Sequence, residues 1–192
     1  MSDGKFSFSA LNKAQADKIM AKYPEVKKAS AVMPLLDLAQ RQNAGYLSED
    51  AMNYVAGLVG LPPVKVYEVA TFYTMYNVKP VGLNHVQVCT NLPCWLRGSD
   101  EIAHAVKDSL GLGFGETSAD GKFTLAEVEC LGACCNAPMI QINDDYYEDL
   151  TPESVVKILE ALKKGDVPKP GSQKGRVGSE PFGGFTTLKG EG

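Results

Sequence analysis

The chain has 192 residues, a hydrophobic fraction of 44%, a charged fraction of 22% and a formal net charge of −4 at pH 7. This length suits one or two compact domains, and the apolar fraction is ordinary for a globular protein. The acidic balance, without a cluster of lysine and arginine, argues against a nucleic-acid partner, because phosphates require a basic surface. The longest apolar runs, such as residues 31–36, are far shorter than a bilayer span, so we expect no direct membrane span.

Residues 1–80 are predicted to form a small helical bundle, because apolar side chains recur there at spacings of three and four residues. The third helix has clear signals at both ends, with Ser48 as N-cap and Gly60 as the stop. Pro63 can begin the fourth helix. Pro34 lies inside the second apolar stripe and is expected to kink or split that helix, because proline removes a backbone donor. The four stripes consist of Ala16, Ile19, Met20 and Tyr23; of Ala29, Val32, Met33 and Leu36; of Met52, Val55, Ala56 and Val59; and of Val66, Val69, Ala70 and Tyr73.

Residues 81–165 have a pattern typical of an α/β domain. Alternating apolar residues predict a strand over residues 85–89, and Ser99 is the expected N-cap of the helix that follows. A second extended segment comes next, then a hairpin over residues 139–147 and a last helix that begins at Pro152. This order of strand, helix, strand, hairpin and helix is that of a thioredoxin-like unit. The expected fold class is therefore α+β, with a small helical bundle followed by a thioredoxin-like α/β domain.

Residues 166–192 are rich in proline and glycine and lack an apolar period, so we expect an extended tail rather than a packed element. Phe182, Phe185 and Leu188 are spaced along this tail. Isolated apolar anchors of this kind suit a segment that lies over a partner surface, and an unstructured terminus is the alternative.

Four of the five cysteines form two close pairs, and each pair follows a predicted strand, so the two loops can meet at one end of the sheet. Thiolate sulfur is the soft, anionic ligand that iron bridged by inorganic sulfide requires, and four thiolates suit a [2Fe-2S] cluster. The sequence therefore predicts an electron carrier. The expected ligands, which bind both the cofactor and its metal, are Cys89, Cys94, Cys130 and Cys134.

Other uses of these cysteines stay open from the spacing alone. Structural zinc also binds paired cysteines. Disulfides are disfavoured because the N-terminus carries no apolar targeting segment, and a thioredoxin-type dithiol would need a C-x-x-C motif that the sequence lacks. Cys135 directly follows Cys134, and neighbours in an extended loop point in opposite directions. We therefore expect Cys135 to be a small buried residue and not a ligand.

The two histidines and one glycine-rich stretch are not expected to serve a cofactor. His85 begins a strand and His104 lies within a predicted helix, so neither has the paired Cys/His spacing of a Rieske centre. Residues 111–115 follow a helix rather than a strand and lack the third spaced glycine of a dinucleotide-binding loop. The sequence offers no plausible pair of nucleophile and base, and we expect no catalytic residue on this chain.

Several segments resemble the 24 kDa subunit family of respiratory complex I, the thioredoxin-like [2Fe-2S] ferredoxins of its NADH dehydrogenase module. They are ATFYTM at 70–75, VCTNLPCWLRGSD at 88–100, ECLGACCNAP at 129–138 and QINDDYYEDLTP at 141–152. The resemblance spans nearly the whole chain and places the family's cluster ligands on the same four cysteines. The chain departs from the family at Cys135, where the usual residue is not cysteine and is often valine.

The resemblance implies an electron-transfer subunit of NADH:quinone oxidoreductase that does not turn over NADH by itself. FMN and NADH are expected on a partner flavoprotein subunit, and a neighbouring multi-cluster iron–sulfur subunit is a second expected partner. Because a hydride brings two electrons and a cluster takes one, a flavin must stand between them. The implied location is the cytoplasmic side of a bacterial inner membrane, as a peripheral subunit, or the matrix side for a processed mitochondrial form.

Two alternatives accompany this hypothesis. One is the related small subunit of an NAD-linked hydrogenase or formate dehydrogenase, which shares the four cysteines. The other is a zinc-stabilised interaction module without a redox role. The tail around residues 176–181 resembles complex I members more closely. Deletion of the chain after Gly165 is expected to spare the cluster and to weaken association with the flavoprotein.

Overall fold

Helices form the first part of the chain and a mixed sheet forms the second, as the change of apolar period predicts. The computed structural model describes residues 5–181, 183–184 and 187. The chain divides into two compact units, Met1–Val81 and Gly82–Gly192. The predicted anchors Phe182, Phe185 and Leu188 lie outside the described residues.

In the described part of the first unit, from residue 5 to residue 81, the regular structure is helical. Ser48 caps the helix Glu49–Val59 (α3), where its Oγ accepts a hydrogen bond from the Ala51 N–H at 3.2 Å, and Gly60 ends the helix with a positive φ of 69°. Leu35, Leu36 and Val55 are fully buried in the core of this unit. The elements are α1 (Ala10–Met20), a 3-10 helix (Glu25–Ala31), α2 (Val32–Gln42), α3 (Glu49–Val59) and α4 (Pro63–Phe72).

The second apolar stripe is split, but not at Pro34. Ala29 lies in the 3-10 helix, whose regular angles are interrupted at Lys27 (φ −126°, ψ 18°), whereas Val32 begins α2. Pro34 is the third residue of α2. The first turn of a helix has no intrahelical acceptor for its N–H groups, so a proline at this place costs little. The first stripe is also shorter than predicted, because α1 ends before Tyr23.

The second unit is built on a five-stranded sheet with the order β2-β1-β3-β4-β5. Strands β1 and β2 are parallel, β3 is antiparallel to β1, and β3 and β4 form a hairpin. The strands are β1 (Asn84–Cys89), β2 (Phe123–Val128), β3 (Ile140–Ile142), β4 (Asp145–Glu148) and β5 (Gly171–Ser172). The helices of this unit are α5 (Leu92–Leu96), α6 (Ser99–Leu110) and α7 (Pro152–Lys164).

Alternation along β1 explains the core of the second unit. Val86 and Val88 are fully buried, and they pack with the apolar faces of α6 and α7, which include Ile102, Val106 and Leu159. Successive residues of a strand point to opposite sides, so one face of the sheet is covered by the two helices. The register of the β1–β2 pair places the ends of the two strands, Cys89 and Val128, opposite each other.

Gly82 permits a close approach at the start of the β1–β2 pair. A Cβ at this position would lie 2.7 Å from the carbonyl carbon of Phe123 and 2.8 Å from its nitrogen. The Gly82 N–H donates to Thr124 Oγ1 at 2.6 Å. This contact sits beside the first pair of the register, in which Asn84 lies opposite Phe123.

The turn between β1 and α6 differs from the prediction. Ser99 is not the N-cap of α6, which is Gly98 with a φ of 91°, and Ser99 is instead the first helical residue, 1% exposed. The chain between the first two cysteines is not a plain loop either, because α5 begins at Leu92 and contains Cys94. The signal was present in the sequence, since Asn91 is a strong N-cap residue and Pro93 suits a first helical turn.

The beginning of the tail is tied to the sheet. Gly171 and Ser172 pair in parallel with Tyr147 and Glu148 of β4, and the Tyr147 hydroxyl donates to the Pro168 carbonyl at 3.1 Å. The first part of the tail thus has contacts within its own unit.

No single helix among the described residues has both the length and the apolar character needed to cross a membrane. Helices α3 and α4 reach that length only when taken together, and they are bent by 119° at the break between them.

Candidate metal centre

Regular structure positions the first cysteine loop, residues 89–94. Cys89 is the last residue of β1, and Cys94 lies in the short helix α5. Asn91 begins that helix: its side-chain oxygen accepts from the Leu92 N–H at 3.0 Å and its carbonyl accepts from the Trp95 N–H at 2.9 Å. Both cysteines are 2% exposed. The first pair is therefore buried and fixed by a strand end and one helical turn.

The second cysteine loop, residues 130–138, is irregular and more open. Gly132 makes the turn between its two cysteines with a φ of 87°, a value that favours glycine, and its N–H donates to Cys130 Sγ at 3.4 Å. Cys130 Sγ and Cys134 Sγ are 3.3 Å apart, and both residues are exposed. Cys134 begins a single 3-10 turn, Cys134–Asn136.

The sheet brings these two loops to the same edge. Strands β1 and β2 are parallel neighbours, with Cys89 opposite the last residue of β2, so both loops leave the carboxyl ends of adjacent strands. Two side-chain hydrogen bonds cross between the strand ends: Thr90 Oγ1 donates to Glu127 Oε1 at 2.7 Å, and Asn91 Nδ2 donates to Glu129 Oε2 at 2.6 Å. The convergence predicted from the order of elements is thus present in the structure.

Electrostatic interactions connect the sulfurs of the two pairs. Burial raises the pKa of Cys94 to about 12, together with a hydrogen bond to Cys89 and the charges of Cys89 and Cys134, while the Met139 amide opposes the shift. A hydrogen bond with Cys130 raises the pKa of Cys134, and burial and the charges of Cys130 and Cys89 add to it. Each of the two shifts thus includes a contribution from a cysteine of the other pair, Cys134 for Cys94 and Cys89 for Cys134.

Three further residues, Cys135, His85 and His104, were considered as ligands from the sequence. The prediction that Cys135 is buried is wrong, because this residue is exposed. His85 sits in β1 with its pKa lowered by burial, and the His104 ring is 2.6 Å from the Asp100 carbonyl within α6. Among the described residues, no three histidine, cysteine or carboxylate side chains are arranged as ligands of a single metal ion.

A model of the thioredoxin-like [2Fe-2S] ferredoxin family matches residues 16–163, which is well over half of the chain. The chain belongs to this family. The match confirms the resemblance that the sequence motifs indicate and the expected thioredoxin-like fold class.

Two curated relatives of this ferredoxin are similar over most of its length. An NADH-quinone oxidoreductase subunit of Rickettsia bellii (strain RML369-C) is 58% identical over 158 residues, which are 82% of this chain and 95% of the relative. NADH dehydrogenase [ubiquinone] flavoprotein 2, mitochondrial, of Dictyostelium discoideum is 53% identical over 183 residues, which are 95% of this chain and 74% of the relative.

A more distant likeness is to a solved structure of the NAD+-reducing [NiFe]-hydrogenase in the air-oxidized state. The TM-score is 0.60 with 18% identity, and the match covers 68% of this chain. It covers only 23% of the hydrogenase chain. At this identity the likeness shows a shared fold and nothing about activity.

The donor set of this ferredoxin fits a [2Fe-2S] cluster. Its four sulfurs come as two pairs, and a two-iron cluster is held by four cysteine thiolates. The N–H of Gly132 already faces the Cys130 sulfur, as expected for a loop that stabilises negative charge on sulfur. The cluster would be held by Cys89, Cys94, Cys130 and Cys134. That assignment stays a prediction.

The surroundings of the site include residues that sequence reasoning did not find. Met139 and Ala137 are buried against Cys89 and Cys94 and form the apolar wall of the first pair. The Tyr146 hydroxyl donates to a carbonyl of the second cysteine loop, that of Leu131, at 2.8 Å. Tyr146 was predicted only as part of a hairpin, and no local pattern indicates which carbonyl its hydroxyl contacts.

Proposed function

We propose that this ferredoxin is the one-electron carrier subunit of the NADH dehydrogenase module of respiratory complex I, with one [2Fe-2S] cluster bound by Cys89, Cys94, Cys130 and Cys134. The observation that carries the proposal is the convergence of two cysteine pairs at the carboxyl ends of adjacent parallel strands. Relatives at 53% and 58% identity that are named as NADH dehydrogenase or NADH-quinone oxidoreductase subunits support it. When bound, the cluster supplies reversible uptake of one electron.

The protein's own groups would tune that electron uptake in opposing directions. The Gly132 N–H donates to the Cys130 sulfur, and such hydrogen bonds favour the reduced state. The carboxylates of Glu127 and Glu129 lie at the ends of the same loops, where their negative charge favours the oxidised state. The buried first pair excludes water from one side of the site, while the exposed second pair leaves the other side open.

The proposed partners are the flavoprotein subunit that binds FMN and NADH and the neighbouring multi-cluster iron–sulfur subunit. Leu92, Trp95 and Leu96 support a protein partner near the cluster, because they are 61%, 54% and 67% exposed on the helix that carries Cys94. Adjacent exposed apolar side chains mark contact surfaces more often than isolated ones do. The proposed location is peripheral, on the cytoplasmic side of a bacterial inner membrane or the matrix side in mitochondria.

The cluster is tested on the full chain purified without oxygen. We expect equal amounts of iron and acid-labile sulfide, and a paramagnetic resonance signal that appears on reduction with dithionite. Stoichiometric zinc without sulfide would overturn the electron-carrier proposal and favour a zinc-stabilised interaction module.

The partner is tested by co-purification with the FMN-containing subunit. Replacement of Trp95 by Ala should weaken the complex without changing the iron content. Tyr67→Ala, a partly buried aromatic residue of the first unit, serves as a control for nonspecific loss of an aromatic side chain. Equal affinity of wild type and Trp95→Ala would exclude α5 from the contact surface.

The role of the tail is best tested with a short truncation. A chain that ends at Pro181 lacks Phe182, Phe185 and Leu188 but keeps β5 and Arg176. We expect normal iron content and weaker binding to the flavoprotein. Undiminished affinity would refute the proposal that the tail contacts that partner.

A further inference from the structure

The tail returns to the second cysteine loop through β5. The parallel pairing of Ser172 with Glu148 is extended by the Gln173 N–H, which donates to the Glu148 carbonyl at 2.9 Å. Four residues beyond Ser172, the side chain of Arg176 enters the space between β4 and the second cysteine loop, where it contacts Asp149 and Cys135. A segment without regular structure is thereby fixed beside the proposed ligands.

Arg176 makes a dense set of polar contacts there. Its Nε donates to Asp149 Oδ2 at 2.8 Å and its Nη2 to Asp149 Oδ1 at 2.6 Å, so the pair is bidentate. Its Nη1 donates to the Glu180 carbonyl at 2.8 Å, and its Nη2 also donates to the Cys135 carbonyl at 3.0 Å. The planar guanidinium donates from three separate nitrogens and so reaches all of these acceptors. A lysine donates from one nitrogen and cannot span them.

The ion pair is buried and stays charged. The Arg176 and Asp149 side chains are 11% and 6% exposed. Burial alone would raise the pKa of Asp149, but hydrogen bonds from Arg176 and Ser172 and the charge of Arg176 outweigh it, and the pKa is lowered. Buried ion pairs add little to stability compared with apolar side chains of similar size, so their best-attested use is to fix one geometry.

The geometry that this pair fixes is that of the 3-10 turn after Cys134. Arg176 binds the carbonyl of Cys135, and the next residue, Asn136, is held from both sides. Its Nδ2 donates to Glu148 Oε2 at 2.6 Å and to the Gly178 carbonyl at 2.7 Å, and its own carbonyl accepts from the Asp149 N–H at 2.7 Å.

We propose that Arg176 is a positioning residue for the cluster. Arg176 donates hydrogen bonds both to the Cys135 carbonyl and to the Asp149 carboxylate. By bridging these two acceptors, it sets the turn that directs Cys134 Sγ towards Cys130 and the first pair. Cys134 is exposed and lies in a loop without strand pairing. The first pair is positioned by β1 and α5, whereas Cys134 is positioned by these polar contacts. The inference rests on the proposed function, because it needs Cys134 to be a ligand.

The test compares Arg176→Gln, Arg176→Lys and wild type as full chains loaded with cluster under anaerobic conditions. Both variants should lose iron to a ferrous chelator about tenfold faster, the size usual for loss of a group that orients a metal ligand. The paramagnetic resonance signal of the reduced cluster should shift, and amide hydrogen exchange should rise in residues 133–137. Arg176→Lys keeps the charge but not the fork, so a full rescue by lysine would overturn the proposal.

Lys163→Gln is the matched control. Lys163 is also an ion-paired cation of the second unit, and it donates to the Ser109 carbonyl at 2.7 Å, joining α7 to α6. Its replacement removes a charge and a tertiary hydrogen bond without touching the second cysteine loop. Iron loss at the wild-type rate is expected, and an acceleration equal to that of Arg176→Gln would overturn the proposal.

A double variant separates positioning from folding. Arg176→Met with Asp149→Asn removes both charges, so no unpaired carboxylate is left buried, and asparagine tolerates the left-handed backbone of position 149 (φ 55°). This chain should fold with a thermal midpoint near that of wild type and still lose iron faster. Iron retention equal to wild type in a folded double variant would overturn the positioning role. A wild-type chain without iron and sulfide would instead refute the proposed function itself, which keeps the two failures distinct.

Discussion

The two cysteine loops reach the same edge of the sheet by different means. The first loop, residues 89–94, is a strand end followed by one helical turn, and both of its cysteines are buried. The second loop, residues 130–138, is irregular and exposed at its cysteines, and its carbonyls accept hydrogen bonds from Tyr146 and Arg176. One side of the site is thus set by secondary structure and the other by contacts from residues distant in sequence.

Because of this difference, changes in the first loop should affect the free energy of unfolding, and changes in the second loop should affect how firmly the cluster is retained. The first loop directly follows β1 and its two cysteines are buried, so a change there affects the free energy of unfolding of the second unit. The second loop packs Leu131, Ala133 and Ala137 beside the first pair, and its exposed part is held by individual hydrogen bonds, each of which contributes about 1 kcal/mol. Changes in those bonds should alter how firmly the exposed cysteines are placed while the sheet stays folded.

The largest expected effect is the loss of a ligand. Cys94→Ala should reduce iron and acid-labile sulfide to background and destabilise both loops, because a metal centre ties its ligand loops together. Cys135→Val is the control, and its reduced spectrum should match that of wild type. Loss of iron in Cys135→Val would show that Cys135, and not Cys134, is the ligand of the adjacent pair.

The next effect is on the apolar wall of the first loop. Met139 is 1% exposed and packs against Cys89 and Cys94. Met139→Ala should lower the free energy of unfolding by about 3 kcal/mol, the usual cost of a cavity left by a buried side chain. Met75→Ala, at an exposed methionine of the first unit, should change it by less than about 0.5 kcal/mol. A similar denaturation midpoint for both variants would mean that the wall does not stabilise the first loop.

Local rules predicted the strand that leads into the first loop, because the signals for that strand are close in sequence. Alternation of Val86 and Val88 predicts β1, and the strand does end at Cys89. The helix α5 was not predicted, although Asn91 and Pro93 both favour a helix start there. Two closely spaced cysteines are typical of an irregular metal-binding loop, which is why the sequence favours a loop here. In the structure Asn91 instead caps a short helix that contains Cys94.

The supports of the second loop could not be predicted in the same way. Arg176 is 41 residues from Cys135, and Tyr146 is 15 residues from Leu131. A hydrogen bond at such a separation depends on the register of β4 with β5 and on the path of the chain after α7, which no local pattern encodes. Composition indicated an extended tail, and it gave no sign that one arginine of the tail is buried against Asp149.

A smaller effect should come from the close contact at the start of the β1–β2 pair, at the end of the two strands away from the cysteine loops. Gly82→Ala would place a Cβ within 3 Å of the Phe123 backbone, and a paired strand cannot move aside. We expect a loss of about 2 kcal/mol in unfolding free energy, as for other overpacked sites. Gly57→Ala is the matched control, because Gly57 lies within α3 with nothing near its Cβ position. It should stabilise the chain by up to about 1 kcal/mol. Equal behaviour of the two would show that the close approach at Gly82 does not constrain the β1–β2 pair.

The smallest effect tests the second loop alone, through two adjacent tyrosines of β4. The Tyr146 hydroxyl donates to the Leu131 carbonyl at 2.8 Å, and the Tyr147 hydroxyl donates to the Pro168 carbonyl at 3.1 Å. Replacing either by Phe removes one hydrogen bond and should cost about 1 kcal/mol. Only Tyr146→Phe should also raise amide exchange in residues 130–134 and speed iron loss, because only its partner carbonyl lies between two proposed ligands. If Tyr147→Phe loosened the cluster to the same extent, the exposed pair would depend on general stability of the sheet, and the contrast between the two loops would not hold.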